Sequence, residues 1–179
     1  MTLKESPSQT AGPYVHIGCV PTRAGLDGPD PGAVMVTGDA AGRPIALTVA
    51  LFDGEGARIE DAVVEIWQAD GAGRHRAPGF AGWGRAACVD GLHRFRTVKP
   101  GIVPETRPQA PHVLVWIVAR GINLALTTRL YFPDEDNAAD PVLRAAGGRA
   151  DTMVARATED GYHLDIRLQG EGETVFLDV

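Results

Sequence analysis

A histidine stands at the head of a long apolar run, in the stretch APHVLVWIVARGIN (residues 110–123). Side chains two residues apart on a strand share one face, so a strand-borne metal site commonly takes ligands at i and i+2. The position two residues after His112 holds Leu114, which cannot bind a metal. Tyr14 and His16 have this spacing but lie in a proline-rich segment. The residues alone therefore predict no complete metal site in this chain.

Nucleophilic catalysis finds no better support. Ser6 and Ser8 lie at the N-terminus, where little would hold a catalytic triad, and the chain has no G-x-S-x-G pattern. The two cysteines, Cys19 and Cys88, form no C-x-x-C pattern and have no adjacent base. His93 alternates outward on a predicted hairpin, which indicates a solvent-facing histidine. The sequence thus contains no complete active site of this kind.

An arginine ends the apolar run that begins at His112. Arg120 comes directly before Gly121-Ile122-Asn123, a turn signal. One interpretation is an ordinary charge at a strand end, held in a surface ion pair. The other is a clamp for a carboxylate, because the planar guanidinium can bind such a group with two parallel hydrogen bonds. Periodicity alone leaves both open.

Composition limits the classes of function. The chain has 179 residues, 44% of them hydrophobic, which is enough for the core of one domain. A net charge of −6 and the lack of a basic run argue against nucleic acid as a partner. Arginines outnumber lysines 15 to 2, which still permits a small anionic ligand. With no signal peptide and no apolar stretch long enough to cross a membrane, we expect a cytoplasmic protein with reduced cysteines.

Short β-like runs dominate the chain after a proline-rich start. Residues 1–32 carry five prolines and are predicted to form an extended N-terminal arm. Asp90-Gly91 predicts a two-residue hairpin turn, and Asp140 predicts the N-cap of one short helix ending at Ala146. Closely spaced strands and turns favour a single all-β domain over residues 1–179, with a two-sheet β-sandwich core. The predicted strands are Val34–Thr37, Ile45–Phe52, Ala62–Gln68, Arg85–Val89, Leu92–Thr97, His112–Ala119, Leu126–Phe132, Tyr162–Leu168 and Thr174–Leu177.

Six segments, in order along nearly the whole chain, carry a family resemblance. They are SPSQTAGPYVHIG (6–18), VEIWQADGAGRHR (64–76), FRTVKPG (95–101), APHVLVWIVARGIN (110–123), TRLYFPDE (128–135) and IRLQGEGETVFLDV (166–179). Together they resemble the intradiol ring-cleavage dioxygenases, and among these the alpha subunits of members built from alpha and beta chains. The resemblance implies a two-sheet sandwich, a beta-chain partner, and a non-haem Fe(III) held by two tyrosines and two histidines of that beta chain. It also implies O2-dependent cleavage of 3,4-dihydroxybenzoate to 3-carboxy-cis,cis-muconate in aromatic catabolism.

The resemblance also assigns positions to the iron ligands. Where iron-binding members place two tyrosines, this sequence has His75 and Val103; where they place two histidines, it has His112 and Leu114. Ferric iron is a hard cation that relies on phenolate oxygens in this family, and valine and leucine offer no lone pair. We therefore expect this chain to bind no iron, with apolar side chains filling its own iron cavity, and to be inactive alone.

The resemblance further assigns part of a substrate pocket. Thr10, Gly12, Pro13 and Tyr14 are expected to line a wall of the active site on the beta chain, with the N-terminal arm packed on that partner. Gly12-Pro13 would supply an extended backbone that a ring can approach. Arg120 is expected near the substrate's carboxylate, where its charge and geometry fit.

Distance along the strand supports a shared site. Arg120 lies eight residues after His112, or about 26 Å at roughly 3.3 Å per residue. The two residues therefore belong to opposite ends of one strand, and Arg120 is expected to serve a site on a neighbouring chain. The alternative is a free-standing, transthyretin-like β-sandwich that binds or scaffolds without catalysis, because such modules share turn-and-strand patterns of the EIWQAD kind.

Overall fold

The computed structural model describes residues 9–27, 32–104 and 109–178, and their strands form two four-stranded sheets. The predicted two-sheet β-sandwich is confirmed. One sheet has the order β4-β1-β8-β7 and the other β3-β2-β5-β6. The strands are β1 Pro44–Phe52, β2 Val63–Trp67, β3 Trp83–Ala87, β4 His93–Val98, β5 His112–Val118, β6 Leu126–Tyr131, β7 Arg156–Ala157 and β8 Gly161–Arg167.

Alternation along the strands creates the core between the sheets. In β1, Leu47, Val49 and Leu51 are all buried in it. In β5, the residues of one face are fully buried (Val113, Val115 and Ile117), while the other face carries His112, Leu114 and the exposed Trp116. The second face is thus only partly covered by the described residues, although the strand is apolar along nearly its whole length. This outer face of β5 supports the candidate site described below.

The sheet that carries the candidate site is antiparallel throughout. β5 lies between β2 and β6, and Leu114 is opposite Trp67 on one side and Arg129 on the other. His112 is opposite Tyr131. Residues directly opposite each other share a face of the sheet. Side chains from three strands therefore meet at the head of β5.

The Asp90-Gly91 turn is present, but the hairpin that it predicted is not. Asp90 and Gly91 both have positive φ, at 51° and 75°, as a two-residue hairpin turn requires. Val89 and Leu92 form one bridge across it. Beyond that bridge β3 and β4 diverge into different sheets. The turn is therefore a corner between the two layers of the sandwich.

The N-terminal segment is not extended throughout, contrary to prediction. Within residues 9–27, α1 spans Val15–Cys19 and a 3₁₀ turn spans Pro21–Ala24. Prolines preset the φ angle that a turn or a first helical residue needs, so a proline-rich segment can coil locally. α1 lies against β2 and β3. The packing of this arm on another chain is not tested, and residues 1–8 and 28–31 lie outside the described residues.

Two short predicted strands are loops with isolated bridges or hydrogen bonds. In place of the strand Val34–Thr37, Val34 and Val36 make single bridges to Arg96 and Phe80. The backbone N–H of Leu177 bonds to the carbonyl of Thr127, but no strand forms over 174–177. Such segments are too short to build a ladder and only cover sheet edges.

The short helix in the C-terminal third of the chain was predicted correctly. α2 spans Pro141–Ala146, with Asp140 as its N-cap and Gly147 after its end. The Asp140 carboxylate accepts hydrogen bonds from the backbone N–H groups of Val142 and Leu143. Among the described residues, every helix is too short or too polar to span a lipid bilayer.

His93 is a correction to the sequence prediction. It is completely buried, because it shares the inward face of β4 with Phe95, while Arg94 points outward. Its ring nitrogens lie 3.4 Å from the Val49 carbonyl oxygen and 3.2 Å from that of Ala62. Burial lowers the pKa of His93 below its ordinary value, although both carbonyls act in the opposite direction. His93 is thus a neutral core histidine.

Candidate functional site

The four positions assigned to iron ligands line one cavity of about 210 Å³ at the head of β5. We call it the head cavity. It opens on the outer face of the β3-β2-β5-β6 sheet, with His75 exposed at its rim. Its lining comprises Trp67, Gln68, Ala69, His75, Gly101, Val103, Gln109, Ala110, His112, Leu114 and Arg129. The cavity is therefore open, and the prediction that apolar side chains fill it is wrong.

Two loops are tied together to form one side of the cavity. The buried Asp70 accepts hydrogen bonds from the backbone N–H groups of Ala72 and Arg74, each at 2.9 Å. It also forms an ion pair with the Arg74 side chain. Gly101 donates from its backbone to the Asp70 carbonyl at 2.9 Å. Gly73 has φ of +74°, and a Cβ there would collide with the backbone of Ile102. Only glycine permits this close approach, which brings the loop that carries His75 against the loop that carries Val103.

Electrostatics strengthens the first of these loops. Burial raises the pKa of Asp70, but the hydrogen bonds and charge of Arg74 and the backbone donor of Ala72 outweigh it, so the pKa is lowered overall. Asp70 is consequently an anion at neutral pH, anchored by its own loop.

The two histidines of the cavity are held by aromatic neighbours. His75 stacks on Trp67, with ring centroids 5.6 Å apart and planes within 6°. His112 tilts against Tyr131 at 5.6 Å, and its Nδ1 donates to the Ala110 carbonyl at 2.8 Å. Trp67, His75 and His112 thus present aromatic surface around the cavity.

Arg129 contributes a positive charge that sequence reasoning did not identify. It lies on β6 opposite Leu114, and its Nη1 donates to Gln109 Oε1 at 2.6 Å and to the Tyr131 hydroxyl at 3.1 Å. Its Nε is closed off from solvent and has no hydrogen-bond acceptor. An arginine within an alternating strand, on the face shared with Leu114, was the available signal. The segment TRLYFPDE served only as evidence for the family.

This donor set does not fit ferric iron. Val103 and Leu114 supply no ligand atom, and the described residues contain no cluster of three or more His, Cys, Asp or Glu side chains suited to a metal. The guanidinium of Arg129 in the same lining would also repel a cation. The side chains of the described lining therefore do not suit Fe(III), and no catalytic step is assigned to iron in this cavity.

The second candidate region is the turn after β5, which we call the foot turn (residues 119–124). Arg120 is 63% exposed, and its Nε lies 3.2 Å from an Asp61 carboxylate oxygen. The surface ion pair of the first interpretation is thus present. The backbone N–H of Gly121 donates to Thr10 Oγ1 at 2.7 Å. Thr10 and Arg120, 110 positions apart in sequence, therefore lie at one surface.

The rest of the predicted pocket wall continues from Thr10. Gly12, Pro13 and Tyr14 form a turn, closed by the Val15 N–H bonding to the Gly12 carbonyl at 3.2 Å, where an extended backbone was predicted. Pro13 favours this because its fixed φ suits the second position of a turn. Tyr14 is 75% exposed and occupies the N-cap position of α1 without a side-chain capping hydrogen bond. An exposed aromatic side chain and an exposed arginine therefore lie on the surface beside Thr10.

Comparison with known proteins gives a consistent assignment. The family described as Dioxygenase matches residues 27–170. The chain is 43% identical to the protocatechuate 3,4-dioxygenase alpha chain of Pseudomonas putida, over 98% of this chain and 97% of that protein. It is 41% identical to the alpha chain of Burkholderia cepacia, over 99% of each, and 32% identical to the beta chain of the same organism, over 76% of this chain and 69% of that one.

Solved structures agree on the fold. The dioxygenase domain of a dioxygenase carbohydrate-binding protein fusion from Streptomyces sp. SirexAA-E superposes with a TM-score of 0.60 at 24% identity, covering 92% of this chain and 99% of that one. Catechol 1,2-dioxygenase from Pseudomonas arvilla C-1 gives 0.60 at 21% identity, covering 76% and 55%. The chain therefore belongs to the intradiol ring-cleavage dioxygenase family, where it groups with protocatechuate 3,4-dioxygenase alpha chains.

Proposed function

We propose that this chain is a non-iron-binding alpha subunit that completes an active site carried by a beta chain. The observation that carries the proposal is the head cavity. The four positions that should hold ferric iron are His75, Val103, His112 and Leu114, and their chemistry does not fit it. A family member without its own metal centre needs a partner that has one. The relatives named alpha and beta chains support a partner of the beta type.

The foot turn is the surface that we assign to this shared site. Arg120 supplies the positive charge for a carboxylate, and Thr10, Gly12, Pro13 and Tyr14 supply the wall beside it. An exposed ion pair such as Arg120–Asp61 is worth about 0–1 kcal/mol, so exchanging Asp61 for a substrate carboxylate costs little. The guanidinium keeps its charge throughout, which suits recognition of a permanent anion.

The reaction proposed for the assembled protein is O2-dependent cleavage of 3,4-dihydroxybenzoate to 3-carboxy-cis,cis-muconate, with Fe(III) bound by the beta chain. In that reaction this chain would bind and orient the substrate's carboxylate end. Selectivity for a carboxylated catechol over catechol itself would then depend on Arg120. We expect the protein to act in the cytoplasm, in aromatic catabolism, without nucleic acid or membrane partners.

The test compares the chain alone with the chain co-expressed with a beta chain. Alone, we expect no stoichiometric iron by elemental analysis and no ring cleavage measured as O2 uptake. Together, we expect a stable complex with one iron per pair of chains and ring-cleaving activity. An iron-rich, active single chain would refute the proposal. Recovery of a stable monomer that never retains a beta chain would favour the free-standing binding module.

A further inference from the structure

We infer that the head cavity is a binding site for a small aromatic carboxylate. Two kinds of side chain in the cavity lining could bind such a ligand. Arg129 on β6 supplies a positive charge, and aromatic ring surfaces come from Trp67, His75 and His112. Among the described residues, no aspartate or glutamate belongs to its lining. A described lining with a cation and without an anion favours a negatively charged ligand.

Arg129 has binding capacity that the protein does not use. Both hydrogen bonds that it donates come from Nη1 and go to neutral oxygens, those of Gln109 and Tyr131. None of the ion pairs among residues 9–27, 32–104 and 109–178 includes Arg129. Its Nε also lacks an acceptor but is closed off from solvent, so Nη2 is the nitrogen left for an outside ligand. Partly buried charges are normally paired, so an external carboxylate would complete this site.

Neighbouring groups fix Arg129 beside the cavity. The Tyr131 hydroxyl that accepts from Arg129 donates in turn to Asp140 Oδ1 at 3.0 Å. That carboxylate is itself held by backbone donors, so it is engaged away from the guanidinium. Burial raises the pKa of Tyr131, so the hydroxyl stays neutral and offers no competing anion. The cation is thus preorganised on a rigid strand, which reduces the entropy lost on binding.

Size and surface indicate an aromatic ligand. A volume of about 210 Å³ lies below the roughly 300–1,000 Å³ of drug-sized sites, so the ligand must be small. Val103 and Leu114 supply apolar contact, while the Trp67–His75 stack supplies a flat face. A planar ring that carries one carboxylate matches all of these features, with its ring against the stack and its carboxylate at Arg129.

The experiment is a calorimetric titration of sodium benzoate into the full chain, with any subunit that co-purifies with it. We expect saturable binding, with Arg129→Gln weakening it at least about tenfold. The matched control is Arg149→Gln, which should leave this binding unchanged because Arg149 is an exposed arginine, paired with Glu173, that does not belong to the cavity lining. Loss of binding in Arg120→Gln with retention in Arg129→Gln would overturn the inference, while leaving the proposed role of Arg120 intact.

Three further measurements separate a folding defect from a loss of binding, and the contribution of the ligand's charge from that of its ring. Val103→Trp should fill the cavity and abolish binding with Arg129 in place, which covers a failure of Arg129→Gln to fold. Benzamide, which lacks the charge, and acetate, which lacks the ring, should each bind at least about tenfold more weakly than benzoate. Equal binding of benzamide would overturn the role of charge, and equal binding of acetate would overturn the aromatic class.

Discussion

The two ends of β5 differ in how they hold an arginine. At its head, His112 and Leu114 face a recessed cavity whose arginine, Arg129, is held by the hydrogen bonds that it donates to neighbouring side chains. At its foot, Arg120 is mostly exposed and joined to Asp61 by a surface ion pair. The head is an open recess whose described lining comes from this chain, whereas the foot presents its side chains outward. A binding site contained in one chain and a surface that completes a site on another chain are expected to differ in this way.

Under the proposed function, the difference between the two ends teaches how a fold can lose one site and keep another. The sandwich core behind β5 is the same for both ends, since Val113, Val115 and Ile117 are all fully buried in it. Replacing ligands at the head with Val103 and Leu114 changes only the outer face. The scaffold that positions Arg120 is unaffected. Site residues on loops and strand ends can therefore change independently of the core.

The largest effect is expected from Asp140→Ala, which breaks the head region. The Asp140 carboxylate accepts from Val142 N, Leu143 N, the Tyr131 hydroxyl and Ala110 N, all between 2.8 and 3.1 Å. Loss of the helix cap together with buried donors left unsatisfied should cost about 3 kcal/mol in the free energy of unfolding, measured by urea denaturation. Asp140→Asn keeps the Oδ1 acceptor, which takes three of the four hydrogen bonds, and should lose less than half as much. An equal loss would mean that charge, not hydrogen bonding, dominates.

Arg120→Ala is the corresponding break at the foot, and it should affect substrate binding rather than folding. Removing charge-assisted hydrogen bonds to a carboxylate should raise KM for the carboxylated catechol about 10- to 100-fold in the assembled enzyme, with the visible iron spectrum intact. The control is Arg149→Ala, since Arg149 is 61% exposed and also paired, with Glu173. Similar KM changes in the two variants would show that the effect is general surface charge.

Acidification should lower the free energy of unfolding of the sandwich core, because His93 is buried in it. The pKa of this buried histidine is lowered in the fold, so below about 6.5 the unfolded chain binds the extra proton. Its stabilisation is complete above pH 6.5 and is lost as pH falls, by at most about 1.4 kcal/mol per pH unit. Urea midpoints measured from pH 7.5 to 5.5 should show this slope. His93→Gln should reduce it; an unchanged slope would assign it to other groups.

Much of the fold could be predicted from the sequence because periodicity and turn chemistry are local. The alternation of β1, the Asp140 cap and the Asp90-Gly91 turn all correspond to the structure. The pairing of strands is not local. Asp90-Gly91 predicted a hairpin, but which sheet each strand joins depends on core packing, so β3 and β4 separate. His93 was misassigned for the same reason, since the direction of its side chain follows the true sheet.

The candidate site was predictable only in part. Family resemblance identified His75, Val103, His112 and Leu114, and the structure places them around one cavity. It did not reveal that the cavity is open or that Arg129 adjoins it, because that depends on the register between β5 and β6. At the foot, the sequence left two interpretations of Arg120. The structure supplies the ion pair with Asp61, but a carboxylate clamp needs a ligand from outside the chain.

Asp61→Asn tests whether the foot turn is less preorganised than the head cavity, and it has the smallest expected effect on stability and KM. If the foot is built to exchange partners, Asp61 holds Arg120 only loosely and competes with the substrate's carboxylate. The free energy of unfolding should then change by less than about 1 kcal/mol, and KM for the carboxylated substrate should fall by no more than about fivefold. Asp61→Ala should behave alike. A rise in KM would instead show that Asp61 positions Arg120, making the foot as preorganised as the head.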